Sequence, residues 1–191
     1  MTKQSKIKVL VFYLLVFYGL WSTGELLVFE KLRLFIENEI LSQLLINVVI
    51  KNLVWTLPSA ILIYHFKEDV YITLKEMFSS KVTWLKYLPI FIFFTVYLLG
   101  AAILENGKLM ISSSFGFGDV IALLFVGVTE ELVFRGWLLN ITIKKGKKWR
   151  YILINSLMFL AVHFPIWIYE RVFVSNFTNL GFLCVMMLSG I

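Results

Sequence analysis

The chain has 191 residues, of which 60% are apolar and 16% are charged, and its mean hydropathy is +0.86. Because a domain of this size needs a largely polar surface to dissolve in water, this composition excludes disorder and argues against a soluble globule. The single cysteine, Cys184, excludes an intrachain disulfide and a Cys-x-x-Cys metal site. The net charge is +6, so the excess of Lys and Arg over Asp and Glu requires an explanation. We expect a membrane to be the solvent of this chain.

Six apolar segments, most of them close to the roughly 20 residues that a membrane-spanning helix needs, follow one another along the sequence. They cover residues 7–23, 44–66, 85–104, 120–143, 151–169 and 173–191. We therefore predict an all-α protein, in which residues 1–191 form a single integral membrane domain built as a multi-pass transmembrane helical bundle. The first segment lacks a small-residue cleavage site after it, so we expect a retained helix and not a signal peptide.

Most of the positive charges lie between the apolar segments or at their ends. Twelve of the 18 Lys and Arg residues lie before or at the start of the first segment, between the second segment and the start of the third, or just after the fourth. By the positive-inside rule these regions are cytoplasmic, which predicts a multi-pass protein of the cell membrane with a cytoplasmic N-terminus. The basic balance is thus interpreted as a topology signal, and no nucleic-acid partner is expected.

The charged residues in the first third of the chain are predicted to lie at the membrane interface or to extend toward water. Residues 25–39 mix acidic and basic with apolar side chains, a pattern typical of an interfacial helix on the outer side of the membrane. Lys51 lies near the start of the second apolar segment, where its long side chain would extend outward to place the ammonium in water.

The remaining ionisable residues lie deep inside apolar segments. A charged side chain at the centre of a bilayer costs about 3 kcal/mol or more, so each such residue requires a structural or functional reason. They are Glu130, Glu131 and Arg135 in the fourth segment and His163 in the fifth. These residues are the candidates for chemistry.

Helical geometry gives the two adjacent glutamates different environments. Glu131 and Arg135 are four residues apart and share a helix face, whereas Glu130 is rotated by about 140° from Arg135. Arg135 is therefore predicted to pair with Glu131 in a structural ion pair. Glu130 then has no cation from its own helix, and a carboxylate that is unpaired in an apolar medium is a stronger base than in water.

His163 is predicted to lie at the same depth as the acidic pair. Glu131 is 13 residues before Lys144, and His163 is 13 residues after Arg150. At about 1.5 Å per residue both lie roughly 20 Å from the inner boundary, and two helices joined by a short loop pack together. We expect the imidazole either to donate a hydrogen bond to a developing oxyanion or to hold a water molecule that Glu130 deprotonates.

These motifs resemble those of one protein family. They read Glu130-Glu131-x-x-x-Arg135-Gly136 and, on the next segment, Phe159-x-x-x-His163. The combination is similar to the first two motifs of the CAAX protease and bacteriocin-processing family, also called the Abi family, and it covers residues 119–165. The motif-bearing helices are expected at about residues 119–143 and 151–169.

The resemblance implies a glutamate-dependent intramembrane endopeptidase. It would make Glu130 the base that activates water, His163 the group that positions water or binds the oxyanion, and Glu131 with Arg135 the supporting pair. The implied partners are membrane lipids and a peptide or protein substrate, processed in bacteriocin maturation, self-immunity or CAAX-type trimming. The sequence predicts neither the choice among these nor the oligomeric state.

The sequence departs from the family after His163. Family members carry a further His and Asn one helix later, whereas no histidine follows His163 here, and Asn176 and Asn179 do not stand in a His-x-x-x-Asn frame. The final segment leaves only 12 residues after Asn179, so we expect it to be truncated. The departure indicates either a missing C-terminal piece or a non-catalytic scaffold or immunity protein.

Two further alternatives remain open from the residues. A proton-coupled transporter also contains buried Glu and His, but it usually has repeated halves that this sequence lacks. No cofactor is expected, and a metal ion held by Glu130, Glu131 and His163 is disfavoured because the spacing is not that of His-Glu-x-x-His.

Overall fold

The computed structural model describes residues 3–79, 83–108, 117–143 and 148–190. Every regular element in these ranges is helical, which confirms the all-α prediction. The α-helices are α1 (Lys3–Thr23), α2 (Phe29–Phe35), α3 (Glu39–Leu44), α4 (Leu57–His65), α5 (Leu74–Ser79), α6 (Leu88–Asn106), α7 (Phe117–Glu130), α8 (Asn140–Thr142), α9 (Lys148–Ala161), α10 (Phe164–Tyr169), α11 (Phe173–Thr178) and α12 (Leu180–Ser189). π-Helical segments cover Gly24–Val28, Leu45–Ile50, Asn52–Thr56 and Glu131–Leu139, and a 3₁₀ turn covers Trp84–Lys86.

Three helical stretches in the described ranges are long and apolar enough to cross a membrane. They are Lys6–Phe35, Glu39–His65 and Lys148–Tyr169, and they correspond to the first, second and fifth predicted segments. The third predicted segment coincides with α6, and the fourth with the helix that runs from α7 through Glu131–Leu139 to α8. These helices support a membrane protein, and the count of six segments stays a prediction.

The first long helix does not end where the sequence suggested. It continues from α1 through the π-helical segment Gly24–Val28 into α2, so the charged stretch that was expected at the interface is part of the same helix. Helix α10 packs against this π-helical segment and helps to bury Glu25, which is only 8% exposed. Residue 25 is therefore covered by a helix that is distant in sequence.

The last apolar segment is not one helix. Asn179 has an extended backbone conformation, and its side chain accepts a hydrogen bond from the backbone N–H of Phe182, so that α12 begins with a side-chain cap. The cap separates α11 from α12. The single segment predicted over residues 173–191 is thus two short helices.

The helices meet in a layer of aromatic rings. The ring of Phe17 lies 4.9 Å from that of Trp55, Trp55 lies 6.1 Å from Phe134, and Phe134 lies 5.2 Å from Phe159, in each case edge to face. Edge-to-face packing is a favoured geometry because the positive edge of one ring contacts the negative face of the next. This aromatic layer joins four of the long helices and fixes their relative height.

Candidate active site

The charged residues of the bundle lie about one helical turn from the aromatic layer. Lys51 precedes Trp55 by four residues and Glu130 precedes Phe134 by four. His163 follows Phe159 by four and lies in the turn just after the antiparallel α9. Since residues four apart share a helix face, packing of the rings brings these side chains toward one level of the bundle.

Glu130 forms a part-buried ion pair with Lys51. The Lys51 Nζ donates a hydrogen bond of 2.9 Å to the Glu130 Oε1, and the two side chains are 6% and 19% exposed. The prediction that Lys51 has a solvated ammonium is wrong, and Glu130 is not free of a cation. The partner comes from another helix, 79 residues away in sequence.

Two tryptophans surround the Lys51 ammonium. Its Nζ lies 4.4 Å from the ring centroid of Trp55 and 5.6 Å from that of Trp21. A cation over an indole face is stabilised by the ring quadrupole, most strongly where water is excluded. The carboxylate and the two rings together offset the cost of removing this ammonium from water.

Glu131 and Arg135 form the predicted pair on the other side of the helix. The Arg135 Nη1 donates a hydrogen bond to the Glu131 Oε1, which confirms the expected contact between residues four apart. The Glu131 side chain is 59% exposed, in contrast to that of Glu130. Adjacent acidic residues thus have different surroundings, as helical geometry required.

A mainly apolar cavity of about 770 Å³ lies on the Glu131 side. Glu131 and Arg135 line it together with Leu123, Val128 and Tyr71, whereas Glu130, Lys51 and His163 are not among its lining residues. The cavity and the buried ion pair are therefore separate features of the same helix.

His163 lies in a tight turn between α9 and α10. Pro165 has no N–H to donate to the carbonyl of Ala161, so a regular α-helix is interrupted at this point. The His163 Nδ1 is 2.9 Å from the Phe159 carbonyl oxygen, which only accepts hydrogen bonds, so Nδ1 carries the proton. In the neutral ring, Nε2 is then an acceptor.

The structure brings three of the charged residues into one neighbourhood. Both Glu130 and Lys51 lie close enough to His163 to act on its charge, and the Phe134 and Phe159 rings join the two helices that carry Glu130 and His163. In the described ranges, no three side chains among His, Cys, Asp and Glu converge on a point suited to a metal ion.

The site lies partly within a recognised family region. Residues 112–190 match the family model described as type II CAAX prenyl endopeptidase Rce1-like. Over these residues the chain resembles the Rce1-like proteases. The match confirms the resemblance seen in the motifs, and it supports a membrane protease. No curated protein and no solved structure matched the chain.

Two charged residues of this neighbourhood precede the Rce1-like region and were missed as site residues. Lys51 was interpreted as solvated and Glu25 as interfacial, although both are buried. The sequence signal that could have indicated their burial is their spacing from aromatic residues. Lys51 precedes Trp55 by four residues, and Glu25 follows Trp21 by four. That pattern places a charge one turn from a core ring, but it does not identify the partner.

Arg135 also holds the end of α12 within the Rce1-like region. Its Nη2 donates a hydrogen bond to the Ser189 carbonyl oxygen, and Asn155 Nδ2 donates one of 3.3 Å to that of Gly190. A Cβ on Gly190 would lie only 2.9 Å from the Ser156 Cα, so this residue lets the chain approach α9 closely. The end of α12 is therefore anchored by two helices.

We expect Arg135→Gln to loosen α12. The variant loses the charge-assisted hydrogen bond to the Ser189 carbonyl oxygen, a kind of bond that contributes about 1.5–3 kcal/mol, and it leaves this carbonyl without the Arg135 donor. Hydrogen–deuterium exchange of peptides from residues 180–190 should become faster, while exchange in α9 changes little. The control is Arg150→Gln at an exposed position. Equal exchange in both variants would contradict the anchoring role.

Proposed function

We propose that the protein is a membrane-embedded endopeptidase in which Glu130 activates the attacking water. The observation that carries this proposal is the mostly buried Glu130 carboxylate, 19% exposed, which Lys51 holds within electrostatic reach of His163. The match of residues 112–190 to a protease family supports the same reaction class. A carboxylate held beside other charges in a mostly buried site suits general-base catalysis, because burial and neighbouring groups tune its basicity.

The two oxygens of Glu130 have different roles in this proposal. Oε1 accepts the hydrogen bond from Lys51, whereas Oε2 takes no hydrogen bond from the described residues. Oε2 would take the proton of the water molecule, and the resulting hydroxide would attack the carbonyl carbon of the scissile peptide bond. When the C–N bond breaks, the same proton passes from Glu130 to the leaving amine.

His163 positions the water in this reaction. Because Nδ1 donates to the Phe159 carbonyl, the neutral ring accepts a hydrogen bond at Nε2. A water molecule that donates one O–H to Nε2 and the other to Glu130 would be oriented for attack. This geometry favours the water-holding role over the alternative in which a neutral His163 donates to an oxyanion.

The remaining charges support the reaction from two sides. The Lys51 ammonium would hold the Glu130 carboxylate in place and balance its charge before the proton is transferred. Glu131 and Arg135 would fix the rotation and height of the helix, since Arg135 binds Glu131 on one side and α12 on the other.

We propose a CAAX-type substrate, a membrane-associated peptide or protein with a prenylated cysteine near its C-terminus. The family model that matches describes prenyl endopeptidases. Bacteriocin maturation and self-immunity are the other processing roles considered for this family. Both would use the same Glu130-centred hydrolysis on a different peptide.

A cleavage assay with isotopic water tests the reaction. Purified protein in liposomes is incubated with a farnesylated peptide that ends in a CAAX sequence, in water enriched in oxygen-18. Mass spectrometry should detect the released C-terminal tripeptide and one oxygen-18 atom in the new carboxyl group of the prenylated product. EDTA should leave the rate unchanged, and a rate that falls with EDTA and returns with Zn²⁺ would favour the metal alternative.

A matched peptide without the farnesyl group separates substrate class from reaction class. Preferential cleavage of the farnesylated peptide supports CAAX-type processing. Equal cleavage of both peptides keeps the endopeptidase but removes the prenyl preference. No cleavage of either peptide contradicts the CAAX assignment.

A second candidate is a non-catalytic scaffold or immunity protein of the same family type. The Lys51–Glu130 ion pair favours it, because a buried ion pair also fixes how two helices pack. In that case Glu130→Gln and His163→Ala would leave a protective or partner-binding phenotype intact. Loss of that phenotype in parallel with loss of peptide cleavage would favour the enzyme.

A further inference from the structure

Glu25 is a buried acidic residue that the proposed reaction does not use. It is 8% exposed, and its Oε2 is fully buried without a hydrogen-bond partner among the described residues. Burying a carboxylate oxygen without a donor is costly, so such an atom requires an explanation. Glu25 lies in the π-helical segment Gly24–Val28, and π-helical turns occur frequently at functional sites.

Lys51 is placed between Glu130 and the helix of Glu25. Its Nζ contacts Glu130 and also lies over the ring of Trp21, which is four residues before Glu25 on the same helix. Two cations act on the charge of Glu25, Arg33 with the larger effect and Lys51 with the smaller, and the carboxylate Glu170 opposes them. Only one of the three N–H groups of Lys51 is used by Glu130.

We propose that Glu25 is a second, alternate partner of Lys51, which takes over the ammonium when Glu130 is protonated. A buried ammonium that loses its carboxylate is strongly destabilised. Glu130 loses its negative charge each time it takes a proton from water. A second buried carboxylate within reach keeps Lys51 paired at that moment, and it gives the orphaned Oε2 of Glu25 a donor.

The change of Lys51 from Glu130 to Glu25 rests on the proposed function of Glu130, and it can be followed through the reaction step by step. The O–H bond of water breaks, its proton goes to Glu130 Oε2, and the hydroxide oxygen bonds to the substrate carbonyl carbon. Lys51 would then donate to the carboxylate of Glu25. When the C–N bond breaks, the proton moves to the amine nitrogen and Lys51 returns to Glu130. Glu25 is thus a positioning residue that acts through Lys51.

A stability cycle tests the exchange without any activity assay. Glu25→Gln and Glu130→Gln each leave Lys51 with one carboxylate, so each should lower Tm only slightly. The double variant leaves Lys51 unpaired, and its Tm should fall by about 5–10 °C more than the sum of the single shifts. Adding Lys51→Met to the double variant should restore much of this loss. Additive shifts would overturn the proposal, as would a double variant whose folding Lys51→Met does not improve.

Glu30→Gln is the matched control, because Glu30 is an exposed glutamate on the same long helix. Combined with Glu130→Gln, it should give additive shifts. A Glu30 variant that behaves like Glu25→Gln would overturn the specific role of Glu25.

The cleavage assay separates a positioning role from a structural one. Glu25→Gln should lower kcat about tenfold with KM unchanged, and Glu25→Asp, which keeps the carboxylate, should recover most of the rate. If Glu130→Gln abolishes cleavage while Glu25→Gln leaves kcat unchanged, the exchange is wrong and the proposed function stands. If Glu130→Gln cleaves normally, the proposed function is wrong, and the stability cycle still decides whether Lys51 has two partners.

Discussion

Glu130→Gln is expected to abolish peptide cleavage while the protein is still produced and inserted. Gln has nearly the same shape as Glu and can accept a hydrogen bond from Lys51, but its neutral amide cannot take the proton of water. General-base catalysis contributes about 10²–10⁴-fold to a rate, so kcat should fall by at least that range. The measurement is tripeptide release from the farnesylated CAAX peptide at saturating substrate.

The adjacent glutamate provides the matched control for this prediction. Glu131→Gln makes the same chemical change one residue later, on the side of the helix that lines the cavity of about 770 Å³. It removes a carboxylate that is paired with Arg135 and does not contact Lys51. We expect a loss of stability and at most a modest loss of rate.

The comparison of the two variants locates the reaction. If Glu131→Gln abolishes cleavage and Glu130→Gln does not, hydrolysis takes place on the cavity side and Glu130 is structural. If neither variant changes the rate, the glutamate mechanism is wrong.

Lys51→Met is expected to be the most destabilising single change at the site. Met keeps the unbranched length and fits between Trp21 and Trp55, but it leaves the buried Glu130 carboxylate without its cation. Breaking a buried ion pair in this way costs about 3–5 kcal/mol. The free energy of unfolding in mixed micelles, titrated with a denaturing detergent, measures the effect.

The prediction includes an asymmetry between the two partners. Glu130→Gln should destabilise the protein less than Lys51→Met, because Lys51 has a second carboxylate within reach and Glu130 has no second described cation in contact. Lys31→Met, at an exposed position on α2, is the control and should change stability by less than about 0.5 kcal/mol. Equal losses for Lys51→Met and Lys31→Met would show that the ion pair contributes nothing.

Local features of the site could be predicted from the sequence because they depend on one helix at a time. The contact of Glu131 with Arg135 follows from their spacing of four residues, as does the different orientation of Glu130. The packing of the fourth and fifth segments follows from the short loop between them, and the Phe134 and Phe159 rings are in contact. The interruption of the helix near His163 could have been predicted from Pro165, but we did not predict it.

The features that the sequence did not predict depend on distant helices. The burial of Glu25 results in part from α10 packing over a π-helical segment, and no periodicity in residues 25–39 indicates that cover. The division of the last segment results from Asn179, whose capping role is visible only where the helix begins. Helical periodicity tells which residues share a face, but it does not tell which partner covers that face.

The amino-acid sequence by itself indicated a membrane environment, an all-α fold and the rotation of Glu130 away from Glu131. Apolar length and the spacing of residues along one helix are sufficient for these properties. Only the tertiary structure decided which cation meets Glu130, because Lys51 is 79 residues away and its depth depends on how Trp55 packs against Phe134. A buried charge is paired by the packing of the whole bundle, and that pairing is not encoded in any single helix.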